Sequence, residues 1–527
     1  MKPLLFTLAA LAACASNPAP APTAAAAGGA IRVTLLHIND VYEITPVEGG
    51  KAGGLARVAA LRKRLIRENP NTRMLLGGDF VSPSAIGTAR VNGERLAGRQ
   101  MIAVLNRVGL DIATLGNHEF DLSDAELAKR VAESRFAYVS SNVTDSLGRP
   151  LLGMPRHLIL RLADARGQVA RIGIVAATID QVRRPTLRYR LPLDALREEI
   201  ARIRDSVDVI VALTHLTLQT DATLAEQLPE LDLILGGHEH ENWVIRRGAR
   251  LTPVIKADAN VRTVAIVDLM VRPGERAVAS WRLLPITDTM PEDANVAAEV
   301  KHWTELGYAA FRGDGLEPDR VIATVPLALD ARAVIIRVRE NELTQLLTSA
   351  LLAEAPDADL ALLNSGSVRL DDVLPPGPLS EYDVIRLLPF GGRLLEVEMS
   401  GALLQQVLEQ GDANRGIGGF LLRAKVEATP TGWQIGGKPL DPVGHYSVVL
   451  PDFLVSGGEQ NLGFLNPQNP ALKVLRTLRD VRLVVIDELK RRWNAAQRPS
   501  PAGALVFPTA PASASKAMRY GIARNNW

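Results

Sequence analysis

The sequence predicts an α/β protein made of two mixed halves joined by a helix, and three observations support this class. From Ile31 to about Pro285, β-rich apolar runs alternate with amphipathic stretches such as 55–67 and 94–108. Residues 291–312 have the pattern of one helix, and a second mixed segment covers roughly 319–498. No internal repeat is visible.

The composition limits the class of protein. At 527 residues the chain has room for two or three domains of ~150 residues each. Hydrophobic residues make up 47% and charged residues 22%, which excludes a fully disordered chain, a collagen-like fibre and a disulfide scaffold. The net charge of +2 gives no electrostatic reason to expect a nucleic-acid partner.

The N-terminus has the pattern of an export signal. Lys2 precedes an apolar run (PLLFTLAALAA), which ends in small residues before Cys14, the one cysteine of the sequence. Leu11 to Cys14 (LAAC) resembles the bacterial lipobox, in which cleavage leaves a lipid-modified cysteine. An ordinary secretory signal with an incidental cysteine is the alternative. We expect a signal peptide over 1–13 and a membrane anchor at Cys14, on the periplasmic or cell-surface side.

Two further segments have the composition of flexible chain. Residues 14–29 are rich in Pro, Ala and Gly, which predicts a flexible tether. Residues 499–527 are rich in Pro, Ala and Ser, and we expect a poorly ordered tail.

Five strand-like runs of the first half end in polar residues, in IRVTLLHIND, MLLGGDF, IATLGNHEFD, VIVALTH and LDLILGGHEH. A strand holds a ligand rigidly, and the glycines beside it permit tight turns. Carboxylates combined with imidazoles suit first-row divalent ions. The candidate ligands and their neighbours are Asp40, Asp79, Asn117, His118, His215, His238 and His240.

The order and spacing of these motifs (HxND, GGD, GNHExD, TH, GGHxH) resemble the calcineurin-like metallophosphoesterases, and specifically their 5′-nucleotidase family. The resemblance covers about residues 31–480. It implies a two-sheet sandwich flanked by helices over 30–290, a linker helix over 291–318 and a C-terminal substrate-binding domain over 319–498. The implied reaction is phosphate-ester hydrolysis, with 5′-nucleotides as the first expectation. Relatives also hydrolyse nucleotide sugars, cyclic nucleotides or a sulfur-carrier conjugate.

The resemblance also implies two divalent metal ions, for which Mn, Zn, Co or Ca would be suitable. One ion would be held by Asp79, Asn117, His215 and His238. The other would be held by Asp40, the bridging Asp79 and His240. His118 matches the family's non-ligand histidine, which stabilises the transition state or protonates the leaving group. Asp121 matches its carboxylate partner.

The first motif departs from the family at Tyr42, where Asp-x-His is usual. Because alternate residues of an extended segment share a face, Tyr42 would point where the histidine normally points. A tyrosinate is a hard anionic ligand that suits a trivalent ion such as iron. The alternative is a Tyr42 that binds no metal, with water in its place.

Substrate contacts are expected from the second half. The segment ALLNSGSVRL matches a family substrate motif at Asn364 and Arg369, while IIRVREN offers Arg337 or Arg339 as a second arginine. The segments LLPFGGRL and PDFLVSGGEQ match the family's base-stacking aromatics at Phe390 and Phe453, and Glu459 replaces the aspartate that usually binds the ribose. The alternative is that both phenylalanines are core residues that contact no substrate. Stacking on both faces predicts tolerance of different bases.

A hypothesis from another class also accounts for the motifs. A nucleotide-binding lipoprotein could keep the cleft and lose turnover through Tyr42. The sequence does not identify a protein partner.

Overall fold

A computed structural model describes residues 29–272 and 274–493. The predicted signal peptide, Cys14, most of the tether and the C-terminal tail lie outside the described residues. Among the helices of the described part, none combines the length and apolar character needed to cross a membrane.

The first half is a sandwich of two six-stranded sheets. Their facing surfaces meet in one apolar cluster that contains Val33, Leu75, Ile174 and Val211. In spatial order the first sheet is Val278–Pro285, Thr263–Val271, Ile31–Ile38, Thr72–Gly77, Ile112–Thr114 and Ala137–Tyr138. The second is His157–Ala163, Val169–Thr178, Val209–His215, Leu233–Gly236, Thr252–Lys256 and Trp243–Arg247.

Helices cover the outer faces of both sheets, so the central strands are buried on both sides and appear in the sequence as continuous apolar runs. Leu36 and Met74 pack outward against helix Leu55–Glu68. The helices of this half are Leu55–Glu68, Ala85–Thr88, Arg99–Val108, Asp124–Glu133, Pro192–Ile203 and Leu218–Gln227. Short 3-10 turns occupy Glu48–Gly50, His118–Asp121, Leu151–Gly153, Arg204–Ser206 and Ala259–Val261.

One amphipathic stretch is shorter as a helix than the sequence predicted. The helix expected over 94–108 begins at Arg99, while Glu94–Arg95 pairs with Arg90–Val91 as a short strand. Gly98 separates the two with a left-handed backbone (φ 84°), a conformation that glycine adopts at little cost. The other short strand pairs of this half are Pro46–Val47 with Ala52–Gly53 and Val143–Asp145 with Leu187–Tyr189.

A long helix, Ala294–Gly313, connects the halves and begins where Asp293 accepts the Val296 N–H at 3.2 Å. The second half contains a five-stranded sheet in the order Leu421–Ala424, Leu360–Asn364, His445–Pro451, Arg393–Ser400 and Leu472–Asp480. Its helices are Ala333–Ile336, Glu342–Glu354, Glu381–Leu387, Gly401–Ala413, Asp452–Val455 and Val481–Trp493, with a 3-10 turn at Ser365–Ser367. Smaller strands are Val321–Val325, Leu329–Asp330, Val373–Leu374, Gly377–Ser380, Val426–Thr429, Gly432–Ile435 and Lys438–Pro439.

The two halves share a core and a polar seam. One apolar cluster contains residues of both, among them Ile38 and Val384. The buried carboxylate of Glu43 accepts from the Tyr382 hydroxyl at 3.0 Å and from the Arg386 guanidinium at 3.3 Å. The predicted α/β class, with a two-sheet first domain and a mixed second domain, is therefore confirmed.

Candidate active site

The polar strand ends of the first half meet at one edge of the sandwich. Strands Ile31–Ile38 and Thr72–Gly77 are parallel neighbours, and Asp40 and Asp79 lie just beyond their carboxyl ends. His215 ends strand Val209–His215 of the facing sheet. Ligand atoms of Asp40, Asp79 and His215 all lie within 4.8 Å of one another, and all three side chains are buried. Parallel strands thus assemble residues that are distant in sequence.

Glycines let the backbone approach this cluster closely. A Cβ at Gly116 would lie 2.1 Å from Asp79 Oδ1, and a Cβ at Gly237 would lie 2.4 Å from the Gly77 carbonyl oxygen. Such distances exclude any side chain at these two positions. The repeated Gly-Gly and Gly-Asn pairs of the motifs therefore follow from the crowding of four loops around one site.

One group of donors, here called the second metal position, contains Asp79, Asn117, His215 and His238. Asn117 Oδ1 is buried and has no hydrogen bond within the described residues, while the buried His215 Nε2 has only its ion-pair contact with Asp79. His215 Nδ1 lies 2.7 Å from the Gly77 carbonyl, which fixes this nitrogen as a donor and leaves the Nε2 lone pair of the neutral ring for a ligand. His215 Nε2 lies 3.1 Å from Asp79 Oδ2, and the His238 ring is 5.3 Å from the His215 ring. These donors fit a divalent ion.

A second group, the first metal position, brings together Asp40, Tyr42, Asp79 and His240. The Tyr42 hydroxyl lies 3.3 Å from Asp40 Oδ1, 3.2 Å from Asp79 Oδ2 and 2.9 Å from His240 Nε2. Tyr42 therefore points into the cluster and not out to solvent, with its hydroxyl among the atoms that would bind the ion. Asp40 Oδ1 lies 3.4 Å from His240 Nε2.

The electrostatics of the cluster favour a cation. Burial alone would raise the pKa of Asp79, but His215 and His118 lower it below its ordinary value. Burial lowers the pKa of His215, yet Asp79 and Asp40 outweigh it and raise that pKa to about 9. Burial, together with His215, lowers the pKa of His238 to about 3. The two carboxylates thus hold a positive charge beside them, a role that a divalent ion can fill.

Burial also raises the pKa of Tyr42 well above its ordinary value, and the Asp79 and Asp40 charges raise it further. Between two carboxylates alone, the phenol stays protonated and donates a hydrogen bond. A cation beside the same oxygen acts in the opposite direction and favours the phenolate.

Glu119, to which the sequence analysis assigned no role, holds two of the loops together. Its carboxylate accepts backbone N–H groups of Asp79 at 2.9 Å, Phe80 at 2.7 Å and Gly116 at 2.5 Å. Burial raises the pKa of Glu119 to about 7, with Asp79 as the next cause. The signal for this residue was present in GNHEFD, where an acid follows the catalytic candidate in a glycine-bounded turn.

Two amides and a lysine support the other loops, and none of the three was among the site residues predicted from the sequence. Asn39 Nδ2 donates to Asp40 Oδ2 at 2.7 Å, and Asn260 Oδ1 accepts the Tyr42 N–H at 2.9 Å. The fully buried Lys256 donates to the carbonyls of Leu216 at 2.6 Å and Gly237 at 2.8 Å. Asn39 lies inside the HxND motif, whereas Asn260 and Lys256 lie outside the five motifs.

His118 and Asp121 form a hydrogen-bonded pair at the rim of the cluster. His118 Nδ1 lies 2.8 Å from Asp121 Oδ2, and the His118 backbone N–H donates to Asp79 Oδ1 at 2.8 Å. Burial alone would raise the pKa of Asp121, but His118 lowers it. Because Asp121 engages Nδ1, Nε2 is the ring nitrogen available to a substrate.

Two arginines of the second half have their charges directed at this cluster. Arg337 and Arg369 each have a buried Nε without a hydrogen-bond partner in the described part of the chain. Burial lowers the pKa of Arg337 and the Arg369 charge lowers it further, while the Asp371 charge acts in the opposite direction. Arg339, in contrast, is exposed, and its charge acts on Asp330. Of the two arginines that the sequence left open, Arg337 lies toward the metal positions.

The aromatic candidates are on the surface. Phe390 is 49% exposed and Phe453 is 45% exposed, so neither is a core residue. Arg369 lies over the Phe390 ring at 5.3 Å. Asn364 Nδ2 donates to Glu459 Oε2 at 2.6 Å, which joins the predicted substrate segment around Asn364 to the residue expected to bind the ribose.

Comparisons with known proteins agree with this architecture. The family model of the calcineurin-like phosphoesterases matches residues 33–242, and the 5′-nucleotidase C-terminal domain matches 321–465. The 5′-nucleotidase of Vibrio cholerae is 26% identical over 512 residues, covering 86% of this chain and 89% of the relative. Protein UshA of Yersinia enterocolitica is 24% identical, covering 81% and 86%.

Two solved structures share the fold across both halves. A 5′-nucleotidase precursor from Thermus thermophilus superposes with a TM-score of 0.68 at 23% identity, covering 88% of this chain and 96% of that one. The sulfate thiohydrolase SoxB of the same organism superposes at 0.65 and 20% identity, covering 87% and 94%. The two family models match the first and the second half of the chain, in the domain order expected from the sequence. The chain therefore belongs to the 5′-nucleotidase family of calcineurin-like phosphoesterases, which are metal-dependent hydrolases.

Proposed function

We propose that this chain hydrolyses 5′-nucleotides to a nucleoside and phosphate, using two divalent metal ions. One observation carries the proposal: buried carboxylates and imidazoles of the first half, beside an Asn117 oxygen that has no partner among the described residues, face two arginines of the second half. The family match to relatives named 5′-nucleotidase supports the substrate class.

The metal ligands follow from the two positions described above. The first position would use Asp40, Tyr42, Asp79 and His240, and the second would use Asp79, Asn117, His215 and His238. When bound, two divalent ions would polarise the phosphoryl oxygens and lower the pKa of the attacking water. Mn, Zn, Co and Ca suit these oxygen and nitrogen donors, and the Tyr42 oxygen adds iron as a candidate at the first position.

The protein's own groups would complete the reaction. Asp121 holds the His118 ring so that Nε2 can stabilise the charge on the phosphoryl group or give a proton to the leaving oxygen. Arg337 and Arg369 would bind the phosphate charge from the opposite side of the cleft. Phe390 and Phe453 would stack on the base, while Asn364 and Glu459 would bind the ribose.

Phosphate release from AMP tests the function. Metal-free full-length protein should be inactive and should regain activity with at least one ion of a panel of Mn, Zn, Co, Ca and Fe. Nucleotide sugars, cyclic nucleotides and an aryl phosphate in the same assay define the substrate class. His118→Ala should slow every substrate by ~10²–10⁴-fold. A protein that binds AMP but hydrolyses none of these esters with any ion is instead a non-catalytic nucleotide-binding protein.

The aromatic clamp predicts selective losses. Phe390→Ala and Phe453→Ala should each weaken kcat/KM for AMP by ~1–3 kcal/mol, because each removes one stacking face of the base. Hydrolysis of the aryl phosphate by the same variants is the control and should change less. Equal losses on both substrates would make the two rings structural and would contradict the clamp.

The position of the Tyr42 hydroxyl predicts that it binds the first ion. Iron(III)-loaded protein should show a visible charge-transfer band, and Tyr42→Phe should abolish it. The same variant should weaken binding at the first position by ~10-fold or more, and Tyr42→His should restore a nitrogen donor. A Tyr42→Phe variant with unchanged metal affinity would show that water completes the site.

We also propose that Cys14 carries a lipid that anchors the protein to a membrane on the periplasmic or cell-surface side. Support comes from the lipobox-like sequence at the chain's one cysteine. Cys14→Ser should move active protein from the membrane fraction to the soluble fraction, or stop processing of the signal. A correctly cleaved Cys14→Ser protein that stays in the membrane fraction would contradict the anchor.

A further inference from the structure

A carboxylate of the second half reaches across the domain boundary to a residue of the metal centre. His240 follows strand Leu233–Gly236 of the first half, and its Nδ1 forms a very short contact with Asp371 Oδ2. Asp371 precedes strand Val373–Leu374 of the second half. Both side chains are largely buried, so water does not readily replace the contact.

The contact determines which nitrogen of His240 faces the metal position. A carboxylate can only accept, so His240 Nδ1 must carry the proton that it donates to Asp371. In the neutral ring the lone pair then lies on Nε2, which is 3.4 Å from Asp40 Oδ1 and 2.9 Å from the Tyr42 hydroxyl. A metal-ligating histidine commonly uses its other ring nitrogen in this way to fix its tautomer and orientation.

The two metal positions differ in which half of the chain orients their histidine. His215, at the second position, is oriented by the Gly77 carbonyl of its own domain at 2.7 Å. His240, at the first position, is oriented by the other domain. The second position is therefore complete within the first half of the chain, whereas the first position depends on both halves.

Asp371 is itself held in place. Its Oδ1 accepts the Ala333 N–H at 2.5 Å, which leaves Oδ2 for His240. Its backbone is left-handed (φ 46°), a conformation that aspartate and asparagine tolerate better than other side chains with a Cβ. The carboxylate thus has a defined direction and is not a mobile surface acid.

We propose that Asp371 is a positioning residue for the first metal position, which presents His240 Nε2 to the ion only while the two halves are in contact. The proposal rests on the metal centre of the proposed function. By reciprocity, an ion at the first position then favours the contact between the halves as much as the contact favours the ion.

Asp371→Asn tests this assignment with a change of one atom and no change of backbone preference. With its oxygen on the Ala333 N–H, the amide would direct its NH2 at His240 Nδ1. That nitrogen would then have to accept, so the proton would move to Nε2 and block the ion. We expect ~10–100-fold weaker binding of one Mn²⁺ and unchanged binding of the other, measured by titration calorimetry on metal-free full-length protein.

Asp372→Asn is the matched control. The neighbouring Asp372 also bridges the halves, through Arg262 Nη1 at 2.9 Å, but this arginine is not part of the metal centre. Asp372→Asn should leave both Mn²⁺ affinities unchanged. Thermal unfolding of the metal-free variants should show that both are folded.

In a His240→Ala background, Asp371→Asn should cause no further loss of Mn²⁺ affinity, because its effect passes through His240.

The outcomes separate this proposal from the proposed function. A wild type that binds no Mn²⁺ would overturn both. A wild type that binds two ions, with an Asp371→Asn variant that binds them equally well, would overturn the positioning role alone. Equal weakening by Asp371→Asn and Asp372→Asn, or additive losses with His240→Ala, would assign the effect to general domain contact and would also overturn it.

Discussion

Burial of two carboxylates at the ends of neighbouring parallel strands is the constraint on which the rest of this structure depends. Asp40 and Asp79 are almost fully shielded from water, and an isolated charge in such a place is costly. The surrounding sequence compensates them with imidazoles, an amide and backbone N–H groups. Asn39, for example, donates to Asp40 at 2.7 Å. The glycines, the left-handed backbones of Asp40 and Asp79 (φ 53° and 56°) and the buried Glu119 all follow from placing these compensating groups in a small space.

The same constraint explains what could be predicted from sequence. Strands buried on both faces appear as apolar runs, and the polar residues that end them stand out, so the ligand candidates were recognisable by pattern. Glu119 was visible in its motif, but its role was not, because it binds backbone N–H groups that no pattern records. Lys256 and Asn260 lie outside the motifs, and their importance appears only when the loops are assembled.

Residues of the second half were harder to assign because their roles depend on how the halves meet. Arg337 and Arg339 are two residues apart beyond the short helix Ala333–Ile336, and spacing alone cannot tell which one faces the cleft. Asp371 carries no local signal at all, since its partner belongs to the other half. Residues that meet at one sheet edge could therefore be predicted from the motifs. Pairs of residues that meet across the boundary between the halves could be assigned only from the structure.

The connecting helix Ala294–Gly313 has a consequence for dissecting the protein into fragments. Its buried Trp303 and Phe311 belong to the same apolar cluster as Leu61 and Ile102 of the first half. A Cβ at Gly307 would lie 2.9 Å from the Ile86 side chain, so the helix lies directly against that half. An excised catalytic fragment that ends near residue 290 would expose this apolar surface and tend to aggregate. A fragment that extends through Gly313 would retain the helix that covers this surface. A truncated catalytic fragment should therefore end after the helix and not before it.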